Sequence, residues 1–341
     1  MWEVDNKVSS ELKKFLFLLI IMLLLMVFIP LLPVALNKKE NKKGGIIGER
    51  AKVSGEGYFY IFDEGTEKNF KIPEKELIYG TVATEMPVSF ETEALKAQAV
   101  AAYTYFSRAR EEFRKKNGEG QAEISVDSKK WKYYVSSEQL KAKWGEKFEE
   151  RYGKIKNAVD SVFGEVLEDD GNLILAVYHA MSSGETESSK DVFGGEVRYL
   201  TNVSSPGDKQ AQGYETYAEI SSEDFKETIK KSWLDSNFEG DPSTWIKDIE
   251  KTQAGTVKSL TVCSHKTTGR EIRTMFSLRS AAFDVNYQNG KFIFKVKGYG
   301  HGVGMSQYGA QFMAKQGADY KQILSWYYPG TVLVNRLKEK L

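Results

Sequence analysis

From Phe15 to Leu36 the chain reads FLFLLIIMLLLMVFIPLLPVAL, a run with no charged residue. About 20 apolar residues span a ~30 Å hydrocarbon layer as a helix, so the run predicts a transmembrane anchor over residues 15–36. A cleavable signal would have an apolar core of roughly 7–15 residues and a small-x-small cleavage site. This core is longer and closes on Pro30 and Pro33, which favours an uncleaved anchor over a cleaved signal. Lysines flank the run on both sides (Lys7, Lys13 and Lys14; Lys38, Lys39, Lys42 and Lys43), so the positive-inside rule does not set the orientation. The expected layout is a short cytoplasmic segment over 1–14, a basic juxtamembrane linker over 37–56, and one working region over 57–341.

That region has the composition of a folded domain. The 341-residue chain is 41% hydrophobic and 28% charged, which excludes wholesale disorder. Its net charge of +1 offers no electrostatic case for binding nucleic acid. The single cysteine, Cys263, excludes an internal disulfide and a multi-cysteine zinc site. The three histidines, His179, His265 and His301, form no recognisable ligand set, so no metal and no cofactor is expected.

Several elements are legible. GYFYIFDEGTEKNFKI reads as a hairpin turning at Asp63-Glu64-Gly65, and PEKELIYGTVATE as a short helix beginning near Pro73. Leu95, Ala99, Ala102, Phe106, Ala109 and Phe113 recur at helical spacing, predicting a long helix capped at Thr92 and stopped at Asn117-Gly118. Residues 136–164 read as one or two helices, Asn172 to Ala180 as a strand, and 221–233 and 243–249 as helices. From Thr256 to Gly300 the pattern is β-rich, with turn signals at Thr267-Thr268-Gly269 and Asn289-Gly290. Two helices follow, closed by Gly317 and by Pro329-Gly330. There is no regular strand–helix–strand alternation, so the expected class is α+β.

Four clusters invite chemistry. Glu85 stands in an apolar stretch before Met86-Pro87. Such surroundings disfavour its charged form, and a carboxyl that stays protonated can donate to a glycosidic oxygen. A partly buried glutamate is more often paired with an arginine or a helix N-terminus, the structural alternative here. GYGHGVGMSQYGAQ (298–311) has four alternating glycines, which read as a ligand-approaching loop, a phosphate cradle or a tight connection. YHAMSSGETE (178–187) carries His179, Ser182, Ser183 and Thr186 at a strand end. It fits a Ser/His hydrolase without a nucleophile elbow, or a polar wall of a sugar groove. Cys263 and His265 share one face of an expected strand and read as packing plus a surface histidine. Of the aromatics, Tyr299, Tyr308, Trp326, Tyr327 and Tyr328 are candidates to stack on sugar rings.

The motifs VATEMPVSFETEALKAQAVAAYTYF, YHAMSSGETE, SSPGD, GYGHGVGMSQYGAQFMAKQG and ILSWYYPGT occur in this order over roughly residues 70–332. Together they resemble the stage II sporulation protein D family, membrane-anchored peptidoglycan lytic transglycosylases of endospore-forming bacteria. The resemblance implies that Glu85 is the catalytic acid. It also implies that His179, Ser182, Ser183 and Gly184, with Tyr299, His301, Ser306 and Gln307, border the substrate groove. Some relatives bind zinc through Cys and His after the long helix; AEISVDSKKWKYYVS has neither, and no metal is expected here. The implied substrate is peptidoglycan glycan, stripped of peptide, degraded at the septum during engulfment outside the cytoplasm. Implied partners are the sporulation amidase SpoIIP and the membrane protein SpoIIM. A hydrolytic muramidase and a catalytically silent glycan-binding protein remain as alternatives.

Overall fold

The computed structural model describes residues 57–337. The expected anchor over 15–36 and the linker over 37–56 lie outside them. Among the described residues no helix is long and apolar enough to cross a membrane.

The order of elements is mixed, as an α+β reading expects. The chain opens with the hairpin β1 (Tyr58–Asp63) and β2 (Lys68–Pro73), in antiparallel register from Tyr58↔Pro73 to Asp63↔Lys68. Along β1 every second side chain is buried, the period of a half-buried strand. Asp63 closes the turn by accepting from Gly65 N at 3.0 Å and Thr66 Oγ1 at 2.9 Å, and it also holds Ser128. Helix α1 (Glu74–Glu85) follows from Pro73, and the central helix α2 (Thr92–Asn117) comes next. Its N-cap is Glu91 rather than Thr92, one residue earlier than the sequence suggested, and it ends at Gly118 with φ 76°.

The apolar stripe of α2 marks only part of its buried surface. From Ala94 to Ser107 nearly every side chain is buried, Gln98 and Thr104 included, so this helix is the axis of the core rather than one wall of it. Around it pack α1, the sheet β2-β1-β3 (β3, Ile124–Val126), α4 (Phe148–Val162) and β4 (Glu165–Asp169). Between β3 and α4 lies α3 (Ser137–Trp144), entered through a capping box of Ser136 and Gln139 and followed by a 3₁₀ turn over Gly145–Lys147. Residues 136–164 are thus two helices.

Beyond the short helix α5 (Ser189–Phe193), a second core forms from residues after 214. Strand β12 (Lys291–Lys297) is the centre of a three-stranded antiparallel sheet between β11 (Phe283–Gln288) and β7 (Glu215–Ser221). Strand β9 (Val257–Val262) is the centre of another, between β8 (Ile246–Lys251) and β10 (His265–Thr267). Phe225 of α6 (Ser222–Ser232), Trp245, Phe292 and Phe294 fill the space between, with Phe225 stacked 4.1 Å from Phe292. The described residues therefore have two large hydrophobic cores, with a small third cluster of Val135, Leu140 and Phe148.

Four local expectations are corrected. Asn172 to Ala180 is not one strand: β5 (Asn172–Leu173) and β6 (Tyr178–His179) are separated by irregular backbone. Residues 243–249 are a short 3₁₀ turn, Pro242–Thr244, and the start of β8. That strand is mostly exposed and shifts register between Lys247 and Glu250, which erased the period of two. Thr268 is not in a turn but caps α7 (Gly269–Met275) through a capping box with Glu271. Cys263 and Ser264 have φ 47° and 75° and form the turn joining β9 to β10, so Cys263 and His265 do not share a strand face.

Candidate active site

Glu85 is the last residue of α1. Met86 after it is extended (φ −124°, ψ 143°), and its N–H still reaches Val82 O at 3.1 Å. Pro87 then starts a tight turn, with Phe90 N donating to Pro87 O at 2.9 Å, and Glu91 N is tied to Gln311 Oε1 at 2.6 Å. A residue before proline is pushed out of the helical region, which is why the helix stops with Glu85 at its tip. The carboxyl is thereby held between α1, α2 and the start of α8 (Gln307–Lys315).

One hydrogen bond reaches this carboxyl among the described residues: Gln307 Nε2 donates to Glu85 Oε2 at 3.3 Å. The same amide lies 3.3 Å from Oε1 of Gln98, buried on α2. Burial raises the pKa of Glu85, and the bond from Gln307 lowers it less. No second carboxylate and no cation perturbs it. The arginine partner that would have made Glu85 structural is therefore absent among the described residues, and the acidic form is favoured.

Two tyrosines, Tyr178 and Tyr133, feel the charge of this acid, and Tyr105 packs behind Tyr133; sequence reasoning missed all three. Tyr178 is raised well above the usual phenol range by burial first, then by the charges of Glu85 and of Tyr133 and Tyr105. Tyr133 is raised by burial, then by Tyr105 and Glu85. The rings of Tyr105 and Tyr133 are 6.5 Å apart, and Tyr133 takes a left-handed φ of 66° with its carbonyl held by Thr81 Oγ1 at 2.6 Å. The buried hydroxyl of Tyr178 has no protein partner among the described residues. Tyr178 adjoins His179 in the motif already singled out, the one signal that pointed to it.

The glycine loop behaves as its spacing suggests. Gly298, Gly300, Gly302 and Gly304 have φ of 74°, 114°, 80° and 74°, a region other residues enter only at a cost. At Gly304 an added Cβ would lie 2.0 Å from Val177 O, and at Gly300 it would lie 2.8 Å from His179 Cβ. This close approach lets β13 (Met305–Ser306) pair in parallel with β6, Met305↔Tyr178 and Ser306↔His179. The loop leaves β12 in the second core and enters α8 in the first. It is a connection, not a phosphate cradle between a strand and helix of one βαβ unit.

The predicted groove residues divide into two groups. His179 is buried, with Nδ1 3.1 Å from Val303 O and Nε2 without a protein partner among the described residues. Burial and then His301 push its pKa down to about 3, so it is neutral. Burial and then Arg273 push His301 down to about 4, and its Nδ1 accepts from Val303 N at 3.1 Å. The two rings are 5.7 Å apart. Tyr299 is 47% exposed with Arg279 4.5 Å over its ring, available for stacking.

The serine hydroxyls are spent on internal hydrogen bonds. Asp208, fully buried in the SSPGD motif, accepts from Ser182 N at 2.8 Å, Ser182 Oγ at 2.5 Å and Ser306 Oγ at 2.6 Å. Ser183 Oγ donates to Ala254 O, and Gly184 (φ 110°) packs on Lys209. Because Ser182 pairs with Asp208 and not with His179, the Ser/His hydrolase arrangement does not form. Among the aromatics Tyr327 and Tyr328 are buried, bonded to Ser205 Oγ and Val177 O, and cannot stack on a ligand. Tyr308 packs edge-on to Phe90 at 5.1 Å, whereas Trp326 is 47% exposed. Among the described residues no three His, Cys, Asp or Glu side chains come together as a metal-binding group.

Comparison with known proteins agrees with the motifs. Residues 63–168 match the family model described as stage II sporulation protein. The chain is 35% identical to stage II sporulation protein D of Bacillus amyloliquefaciens over 262 residues, 76% of this chain and 73% of that protein. It is 32% identical to stage II sporulation protein D of Bacillus subtilis over 301 residues, 87% and 83% of the two chains. It is 29% identical to the amidase enhancer of Bacillus subtilis over 304 residues, 75% of this chain and 40% of that protein. This chain belongs to the stage II sporulation protein D family.

Proposed function

We propose that the protein is a peptidoglycan lytic transglycosylase that cleaves between N-acetylmuramic acid and N-acetylglucosamine, with Glu85 as its acid and base. The observation that carries this reading is the lone carboxyl: Glu85 is half-buried, raised in pKa by desolvation, and hydrogen-bonded by the amide of Gln307 alone among the described residues. Retaining and inverting glycosidases use two carboxyl groups, and no second one perturbs Glu85. That favours transglycosylation over a hydrolytic muramidase.

Glu85 protonates the glycosidic oxygen as its bond to the anomeric carbon breaks. The muramoyl 6-hydroxyl attacks that carbon and passes its proton to the Glu85 carboxylate, which restores the acid and closes a 1,6-anhydro ring. Gln307 orients the carboxyl, and the unpartnered hydroxyl of Tyr178 is a hydrogen-bonding group for the reacting sugar. Tyr299 supplies a stacking face. The natural setting of this reading is septal peptidoglycan during engulfment in sporulation, with the domain outside the cytoplasm, anchored through residues 15–36 and working beside the SpoIIP amidase and SpoIIM.

The test is digestion of peptide-free glycan by wild type and by Glu85→Gln. Gln keeps the shape but cannot transfer the proton, so turnover falls by at least ~10²-fold, the low end for general acid–base catalysis. Wild-type products carry anhydro ends. Reducing ends would move the protein to the muramidases, and no cleavage by wild type would leave a glycan-binding protein.

A further inference from the structure

A cavity of about 130 Å³ lies against the glycine loop at Gly300 and Gly302, and Glu85 does not line it. One wall carries Glu187 and Val192; the other carries Val257, Arg270, Arg273 and Ala281, so the cavity lies where the chain's two cores meet. Ligand sites concentrate at such junctions. Its size decides what fits. An engineered apolar cavity of about 150 Å³ holds benzene, so this one takes about six non-hydrogen atoms, a substituent rather than a whole sugar.

Its charges decide the chemistry. Lys258 is paired with Asp191 at 2.9 Å, Lys297 faces Asp284 at 3.9 Å, and Glu185 is bonded to Gln253. Arg270 makes no ion pair among the described residues, and Arg273 spends only Nε, on Leu278 O at 3.3 Å. Both arginines line the cavity, and although Arg270 also lies in the field of Glu271, neither guanidinium is in an ion pair among the described residues, so both can take a carboxylate. Glu187 is buried. Its Oε1 accepts from Thr252 Oγ1 and Thr256 N, while its Oε2 has no protein partner among the described residues. Burial raises its pKa, the direction that leaves a proton there to donate. Val192, Val257 and Ala281 supply an apolar side.

We propose that this cavity binds a short carboxylate-bearing arm of peptidoglycan, with Arg270 and Arg273 on the carboxylate and Glu187 opposite. The inference rests on the peptidoglycan reading above. Gly302 is five residues from Gln307, at most about 17 Å of chain, so a strand whose glycosidic bond meets Glu85 can place a side arm here. Two arms carry this chemistry: the lactyl carboxylate of a peptide-free muramoyl residue and the terminal carboxylate of a stem peptide.

The experiment uses full-length Glu85→Gln protein, so that binding is read without cleavage. It is titrated with N-acetylmuramic acid, its lactyl amide, N-acetylglucosamine and D-alanyl-D-alanine, by calorimetry or NMR. The expected result is N-acetylmuramic acid at least ~10-fold tighter than its amide, about 1.4 kcal/mol. That gap closes in Arg270→Gln, whose side chain is exposed and whose fold survives, and in Arg273→Gln. Preference for D-alanyl-D-alanine, lost in the same variants, supports the carboxylate site and names the peptide as its source. Equal binding of acid and amide, or a gap that survives both substitutions, overturns the proposal and leaves the cleavage reaction standing. A gap seen with a wild type that never cleaves glycan would do the reverse.

Discussion

Asp208 is the residue whose loss should do most damage for its size. It is fully buried and takes three hydrogen bonds: Ser182 N and Oγ on one oxygen, Ser306 Oγ on the other. Asp208→Ala strips all three and leaves the Ser182 N–H buried without a partner. Hydrogen bonds to a charged group contribute about 1.5–3 kcal/mol each, and an orphaned buried donor costs about 1–3. These terms share atoms and do not add, so the expected loss is about 3–5 kcal/mol, roughly 10 °C in Tm at about 2–4 °C per kcal/mol. Asp208→Asn keeps one oxygen for the Ser182 pair and should lose only about 1–2 kcal/mol. pH separates the two further. Burial raises the Asp208 pKa more than Ser182, Ser306 and Ser205 lower it. A raised folded pKa stabilises fully below the unfolded value and is lost as pH rises through the folded one. The wild-type advantage over the non-titrating Asn variant is therefore larger at acid pH than at neutral pH. Denaturant and thermal unfolding of the purified variants at several pH values measure this. A loss under ~1 kcal/mol in Asp208→Ala, or Asn as costly as Ala, would show that the SSPGD motif does not clamp the site.

Gly304→Ala places Cβ 2.0 Å from Val177 O at a φ of 74°, so it should cost above ~3 kcal/mol from left-handed strain and the clash together. Gly153→Ala, in α4 with nothing within 4 Å of its Cβ, should instead stabilise by about 1 kcal/mol; thermal melts compare the pair. His301 is depressed to about 4 from an unfolded 6.5, so the stability of its neutral folded form is lost as pH falls from 6.5 toward 4, by about 3 kcal/mol. His301→Gln should unfold less steeply with acid than wild type over that window, and parallel curves would count against it. Gln307→Met removes the bond that favours the charged form of Glu85, so the basic limb of its pH–rate profile should move to higher pH. A limb that moves down, or stays with full turnover, would remove Gln307 from the positioning of the acid.

Much of this protein is written in local patterns. The alternation in β1 and β12, the apolar repeat of α2, the Asn289-Gly290 turn and the glycines at 298–304 each encode a backbone state that the residue itself prefers. Those survived folding unchanged, with Asn289 and Gly290 at φ 51° and 76°. The start of α7 was also legible, as Thr-x-x-Glu at Thr268 and Glu271, but the glycine between them suggested a turn. Strand β8 was not legible, because an exposed, bulged edge keeps no period. Within the site, the sequence carried Glu85 and its proline step but not the acid's surroundings. Gln307 lies 222 residues away, and Tyr105, Tyr133 and Tyr178 come from three separate segments. Their meeting depends on α2 being buried on nearly all sides from Ala94 to Ser107, so that α1, β3 and α8 pack around one stretch of it. The same holds for Ser182 and Ser306. A serine at a strand end reads as a ligand group in one dimension, and only the buried carboxylate of Asp208 beside it turns both hydroxyls inward.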